Sequence, residues 1–519
     1  MVKDLLKEEV QGVYHQMCSF LPEDKNGNIF LEDPVEEMRI PAHYGETHLC
    51  AAMLVHIVQN GEDSMLTDAL RLFDGIVNHW ENDRCTASYH SDFNNFALSI
   101  ILNQLTKLNE SKRSDIAKKL LIASPDSKNH TVNWLPMRAY VDLTRYEITG
   151  NEKYISDAAN LLAQVEEARY ADGMFDDLMP KGKSFNLQYS ISTAAEIQLV
   201  YNHFKSIRNR LPIIDTEKSA QTMYQLVLPD GDINYMGRGC NQLFAWGPWF
   251  YLCENYINEE YLLKTLFFFK PKYETASCGY NLFLNEYNGK DKVLWWDYHY
   301  YSVYASHFLL WYELACSVKE NKSIEVNQVS SEFSCGLRTV HNDDFFIVTF
   351  TGREHYLIEK GPSVVAAWNK DIGSFFKCGH APAEGRFSDL YFNPIAAYLN
   401  HFGLVDISES RRNSGNRIIR KVKEHIRTDN SLTITPSFSV KQVRLDDSNK
   451  AIEYYVCEGT AGRFVLPIIH SSGYKGVKVK ADGTEVSMTK IATIPSQYGD
   501  VDIIISPEKR SMVWTIIIE

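Results

Sequence analysis

Along the first 320 positions, apolar residues recur at steps of three and four, the spacing that gathers side chains on one face of an α-helix. In SMLTDALRLFDGIVNHW, Leu66, Leu70, Phe73, Val77 and Trp80 share such a face. In NEKYISDAANLLAQVEEARY the residues are Tyr154, Ala158, Leu161 and Val165, and a third run passes from Gln188 through Ile191, Ala195 and Val200 to Phe204. Further helices are predicted near residues 4–20, 47–59, 93–107, 133–149, 241–256 and 301–317, separated by loops carrying Gly, Asn, Asp or Pro. The pairs repeat at about forty to fifty residues, as stacked helical hairpins do. Such hairpins form either an open solenoid or a closed toroid, and periodicity does not separate the two.

Around residue 335 the period changes to two. In DDFFIVTFTG, Phe346, Val348 and Phe350 alternate as a half-buried strand requires. SLTITPSFSV, AIEYYVCEGT, GRFVLPIIH, VDIIIS and SMVWTIIIE follow, and VDIIIS–PEKR–SMVWTIII predicts a closing hairpin. Many short strands with turns between them predict a β-sandwich. The basic stretch ESRRNSGNRIIRKVKEHIR reads as a solvated loop or strand rim. The expected division is a helical domain over 1–325 and a sandwich domain over 326–519.

A chain of 519 residues exceeds what one core usually organises, which agrees with two domains. The net charge of -13, from 53 basic and 66 acidic residues, lacks the basic field of a nucleic-acid binder, so no nucleic-acid partner is predicted. An acidic glycan would need local Arg, Lys or His groups that outweigh this charge. The start, MVKDLLKEEVQGVYHQM, lacks the pattern of a secretory signal, and no apolar run approaches the ~20 residues of a membrane span. The 10 cysteines are scattered without a CxxC pair, as in a reducing compartment, so the expected location is cytoplasmic. Neither a dinucleotide fingerprint nor a phosphate loop nor HExxH occurs, and no cofactor or metal is implied.

Polar and aromatic residues gather at the entrances of the predicted helices. RIPAHYGETHLCAA brings His43, Tyr44, Glu46 and His48; Glu46 or Thr47 serves equally as a helix cap. SYHSDFNNFAL brings His90, Asn94 and Asn95, where a histidine beside amides suits a carboxylate and an Asn suits an N-cap. NHTVNWLPMRA offers Asn133, Trp134 and Arg138, with Trp134 either a sugar-stacking face or a core ring. YADGMFDDLMPKGKSFNLQYSISTAAE places Asp176 and Asp177 before a helix carrying Gln188 and Tyr189, and a Tyr there can transfer protons. PDGDINYMGRGCNQLFAWGPWFY combines a tight turn, the planar donor fork of Arg238, Gln242, and the faces of Trp246 and Trp249. LWWDYHYYSVYASHF adds Asp297, His299 and Tyr301.

DGMFDDLMPKGKSFNLQYS resembles the turn, loop and helix of heparinase II/III-like proteins, where a DG-F-D-D stretch leads into Q-Y-H; PDGDINYMGRGCNQLFAW is similar to their PDG…GR…Q stretch. The resemblance implies an N-terminal (α/α)6-type toroid followed by an antiparallel β-sandwich. It also implies a polysaccharide lyase acting on an acidic oligosaccharide or polysaccharide. Such a lyase neutralises a uronate carboxylate, removes the C5 proton and protonates the leaving oxygen. Tyr189 matches the Tyr of Q-Y-H, but Ser190 stands where that family has His. The expected proton-transfer groups are therefore Tyr189, His90 and His299. Arg238 and Gln242 match the GR…Q positions as substrate holders, and Gln188, Asn94, Asn133, Trp134, His43, Tyr44 and Trp246 are the other expected substrate contacts. A hydrolase using carboxylates among Asp176, Asp177, Glu46 and Asp232 is the first alternative. A non-catalytic glycan binder, favoured by Ser190, is the second.

Overall fold

The computed structural model describes residues 2–61, 64–83, 90–127, 131–182, 185–236, 240–281, 284, 300–326, 328–351, 363–377, 405–414, 417–426, 440–446, 451–456, 465–496, 498–507 and 509–518. In chain order the helices are α1 (Val2–Ser19), α2 (Gly45–Asn60), α3 (Leu66–Asp83), α4 (Ser91–Lys107), α5 (Ser111–Ala123) and α6 (Trp134–Thr149). Then follow α7 (Lys153–Ala168), α8 (Leu187–His203), α9 (Thr216–Tyr224), α10 (Trp246–Tyr256), α11 (Glu259–Cys278) and α12 (Tyr301–Cys316), and α3, α5, α7 and α9 each pack on the helix before them. The even-numbered helices pack side by side from α2 to α12, and α12 packs back on α2. The hairpins therefore close into an (α/α)6 toroid, with the odd-numbered helices outside.

This layering explains the pattern of side chains. Residues 301–315 of α12 are buried all round, and α2 and α8 are nearly so, because each inner helix touches neighbours on every side. The outer helices α3 and α7 face water on one side and carry the clear amphipathic stripe. Three helices gave no such signal. The α5 helix buries only Ser114, Ala117 and Leu121, α9 has 9 residues, and α11 contains Pro271, which normally breaks a helix. Among the described residues no helix is long and apolar enough to cross a membrane.

A two-stranded ribbon, β1 (Glu32–Asp33) and β2 (Met38–Arg39), sits between α1 and α2. Beyond α12 come β3 (Ser331–Glu332), β4 (Leu337–His341), β5 (Phe345–Phe350), β6 (Ser363–Asn369) and β7 (Gly373–Phe376), which form one antiparallel sheet in that order. The hairpin β8 (Val405–Ser414) and β9 (Arg417–Ile426) accounts for the basic stretch, as paired strands. The remaining strands are β10 (Val440–Asp446), β11 (Ala451–Val456), β12 (Val465–Ile469), β13 (Val477–Ala481), β14 (Thr484–Val486), β15 (Thr489–Ser496), β16 (Gly499–Ile505) and β17 (Val513–Ile518). They form the sheets β10-β11-β17-β13-β14 and β12-β16-β15. Phe345, Ile347 and Phe375 of the first sheet share a core with Trp514, Ile516 and Ile468 of the others, so the sheets stack as a sandwich.

Two strand expectations are corrected. The β5 strand is buried on both faces: Phe346, Val348 and Phe350 join the core of the toroid, while Phe345 and Ile347 face the sandwich interior. The alternation marks which core each residue enters and not which residues meet water. VDIIIS and SMVWTIII do not form a hairpin. The β16 strand pairs with β12 and β15, whereas β17 pairs with β11 and β13, so the two consecutive strands belong to different sheets.

Candidate functional site

The inner helices run in one direction. His43, just before α2, lies against Tyr300, just before α12, while at the far end His56 Nδ1 of α2 is 2.9 Å from Glu313 Oε1 of α12. Ring contacts link the starts of α2, α4, α6 and α12, and those of α8 and α10 with α12, so the inner N-termini gather at one mouth of the toroid. Their helix dipoles favour an anion there, against the overall negative charge of the chain.

Rings line this mouth. His43 and His90 stack with centroids 4.3 Å apart, and Tyr300 meets His43 edge-on at 4.8 Å. Trp134 lies 6.2 Å from His90 and 5.5 Å from Phe93, which itself stacks on Tyr44 at 4.4 Å. On the other side Tyr189 meets Phe244 at 6.1 Å, and Phe244 stacks on His307 at 4.5 Å. His90 Nδ1 is 2.8 Å from the Ala42 carbonyl, which can only accept. Nδ1 therefore carries a proton in that contact.

Below them sit two fully buried histidines, His48 and His307, with ring centroids 5.3 Å apart. His48 Nδ1 donates to the Tyr44 carbonyl at 2.9 Å. Burial pushes His48 down to about 3, and burial with the neighbouring His48 holds His307 well below the usual imidazole value, which the Phe244 carbonyl opposes only weakly. Both are neutral at ordinary pH.

The amides are held from behind. Asn186 caps α8, accepting from the N–H groups of Gln188 at 3.0 Å and Tyr189 at 3.3 Å. Gln188 Nε2 donates to Asn234 Oδ1 at 2.6 Å, and Asn234 Nδ2 donates to the Gln242 carbonyl at 2.8 Å. Thr47 Oγ1 donates to Asn94 Oδ1 at 2.8 Å, and Asn133 pairs with Thr131 at the start of α6. The Gln242 carboxamide is buried without a hydrogen-bond partner among the described residues.

Several residues singled out from sequence have structural occupations. Glu46 grips Arg39 in a two-pronged pair at 2.7 and 2.8 Å and accepts the Leu31 N–H at 3.0 Å, so it is no cap. Arg138 is held by Asp92 at 2.8 Å, and Asp232 by Lys377 at 2.8 Å. The Trp246 ring is buried against Phe250, Phe268 and Phe269 and not open to the mouth. Tyr301 is likewise buried, and its neighbour Tyr300 borders the histidines. Ser190 Oγ accepts the Phe175 N–H at 2.9 Å, so position 190 turns toward the DGMF loop. Arg238, Asp297 and His299 lie outside the described residues. Sequence reasoning passed over Tyr300, His307, Phe244 and Asn234, each within or beside a stretch already noted for its aromatic or turn content.

No family model matches the chain, and no curated protein matches it. Among solved structures, it is similar to the heparan sulfate lyase HepC from Pedobacter heparinus, at 10% identity over 98% of this chain and 82% of that one, with a TM-score of 0.43. It is also similar to the GH76A alpha-1,6-mannanase from Salegentibacter sp., at 12% identity over 60% of this chain and 98% of that one, with a TM-score of 0.39. A third is a glycosyl hydrolase family 88 protein from Bacteroides vulgatus, at 12% identity over 60% and 99%, with a TM-score of 0.39.

Proposed function

We propose that the chain is a carbohydrate-active enzyme that cleaves next to a uronic acid by β-elimination at this mouth, in the manner of heparinase II/III-like lyases. The observation that carries the reading is the convergence of six helix N-termini on a ring-lined mouth holding His43, His90 and Tyr189. Aromatic faces and carboxamides suit a sugar ring, and the N-termini suit its carboxylate. In this reading the carboxylate docks near the His43–His90 pair, which makes the C5 proton more acidic. Tyr189 and His90 then share its removal and the protonation of the leaving oxygen. The histidine role falls to His90 because residue 190 is a serine turned into the protein. Arg238 is the proposed additional carboxylate holder.

Hydrolysis is the second reading. Its support is Asp177, buried, whose carbonyl accepts the Val132 N–H at 2.8 Å and so ties this carboxylate-bearing residue to the approach to α6. The test is ultraviolet absorbance of the new C=C bond on a panel of uronate-containing glycans, with Tyr189→Phe and His90→Gln alongside. A signal lost in both variants supports elimination here. New reducing ends without that absorbance, lost in Asp177→Asn, transfer the assignment to hydrolysis. A signal that survives Tyr189→Phe removes Tyr189 from the mechanism.

A further inference from the structure

Buried polar atoms are almost always hydrogen-bonded, because leaving one bare in the interior is destabilising. The floor of the mouth departs from this. His48 spends Nδ1 on the Tyr44 carbonyl, and its Nε2 has no partner among the described residues although the residue is fully buried. Among the described residues, neither ring nitrogen of His307, 1% exposed, makes a well-formed hydrogen bond beyond a weak approach to the Phe244 carbonyl. The two rings adjoin, and Tyr44, Phe93 and Phe244 surround them. Phe244 follows two residues after Gln242, whose whole carboxamide is also unpartnered among the described residues. Packing alone would favour Leu or Phe at these positions.

We propose that His48 and His307 form an uncharged hydrogen-bonding subsite at the floor of the mouth, which receives the hydroxyl groups of a neutral sugar ring. The proposal rests on the carbohydrate reading above and divides its ligand in two. The carboxylate-bearing ring is held near the helix N-termini, and a neighbouring uncharged ring reaches the floor. Neutral imidazoles both donate and accept, as a hydroxyl does, whereas a carboxylate offers only acceptors. An apolar collar around such groups rejects ligands that leave them bare, since the polar atoms then stay unpaired.

The test uses His307→Phe and His48→Leu in the full chain, each removing nitrogens at similar volume. Two quantities are measured: the thermal midpoint, and calorimetric affinity for a uronate–hexose disaccharide, a free uronate and an uncharged oligosaccharide. The expected result is a midpoint that holds or rises, affinity for the disaccharide lower by about tenfold, and affinity for free uronate unchanged. A raised midpoint with all affinities intact overturns the proposal, because the pair is then mere packing. A midpoint that falls in both variants also overturns it, because the nitrogens then have partners within the fold. If the parent chain binds only the uncharged oligosaccharide, and the variants lose it, the subsite stands and the uronate reading fails. If the parent binds no saccharide, both fail.

Discussion

Lys377 Nζ lies 2.8 Å from Asp232 Oδ2, joining the sheet that ends in β7 to the turn that leads toward Gln242. Lys377 is buried, reaches Asp230 at 3.3 Å and rests over the Phe268 ring at 4.7 Å. Burial would lower its ammonium, but the two carboxylates outweigh this and raise it. Asp232 in turn accepts the Asn234 N–H at 2.8 Å, and Asn234 holds Gln188 and Gln242. The strand-rich part thus braces one wall of the mouth.

Lys377→Met strands the buried carboxylate of Asp232 and takes a partner from the half-buried Asp230, and is expected to destabilise the protein by about 3 kcal/mol. Lys377→Arg keeps the charge and should lose less. Urea unfolding of both variants, with the m-value unchanged, checks the order.

Gly231 sits in the same turn at φ +101°, and a Cβ there would collide with the Lys264 carbonyl of α11. Gly231→Ala should cost more than about 1 kcal/mol, since both backbone strain and the collision oppose it. Thermal unfolding against the parent measures this, and a neutral result would mean the turn relaxes freely.

Asp502, on the central strand β16, accepts from His470, Tyr474, Thr493 and Lys490, and these donors outweigh burial to hold its carboxyl below the usual range. A depressed folded-state pKa adds stability above the unfolded value, and that stability is lost as pH falls through the folded one. Asp502→Asn should therefore be destabilising at neutral pH, with the gap to the parent shrinking toward strong acid. Stability curves across pH read this directly.

Glu196 on α8 has the opposite sign. It is buried, its Oε2 has no hydrogen-bond partner among the described residues, and burial pushes its carboxyl well above the ordinary value. The unfolded chain gives up this proton as pH rises while the folded one keeps it, so stability falls with rising pH. Glu196→Gln should be stabilising near pH 7 and close to neutral near about pH 4. Equal effects at both pH values would contradict the burial argument.

Much of this was legible in the sequence, for physical reasons that differ by element. The stripes of α3 and α7 were readable because one face meets water. His43, His90, Trp134 and Tyr189 were readable as a set because each stands at a helix entrance, and the entrances of inner helices converge. Closure of the ring was not readable, since α2 and α12 meet through residues far apart in the chain. His307 lay hidden in α12, where burial on all sides removes any contrast between faces. The crossing from β16 to β17 was hidden too, because a polar turn between two apolar strands looks the same whether the strands pair or part.

Closure of α12 on α2 also orders events during synthesis. Contacts between positions near 45 and near 301 carry a high loop-closure cost and form late. A chain leaving the ribosome carries His48 long before it carries His307, and earlier hairpins present an open arc with an unfinished rim. Docking of α12 on α2 would therefore report that the ring is complete, making that one contact a natural gauge of finished folding.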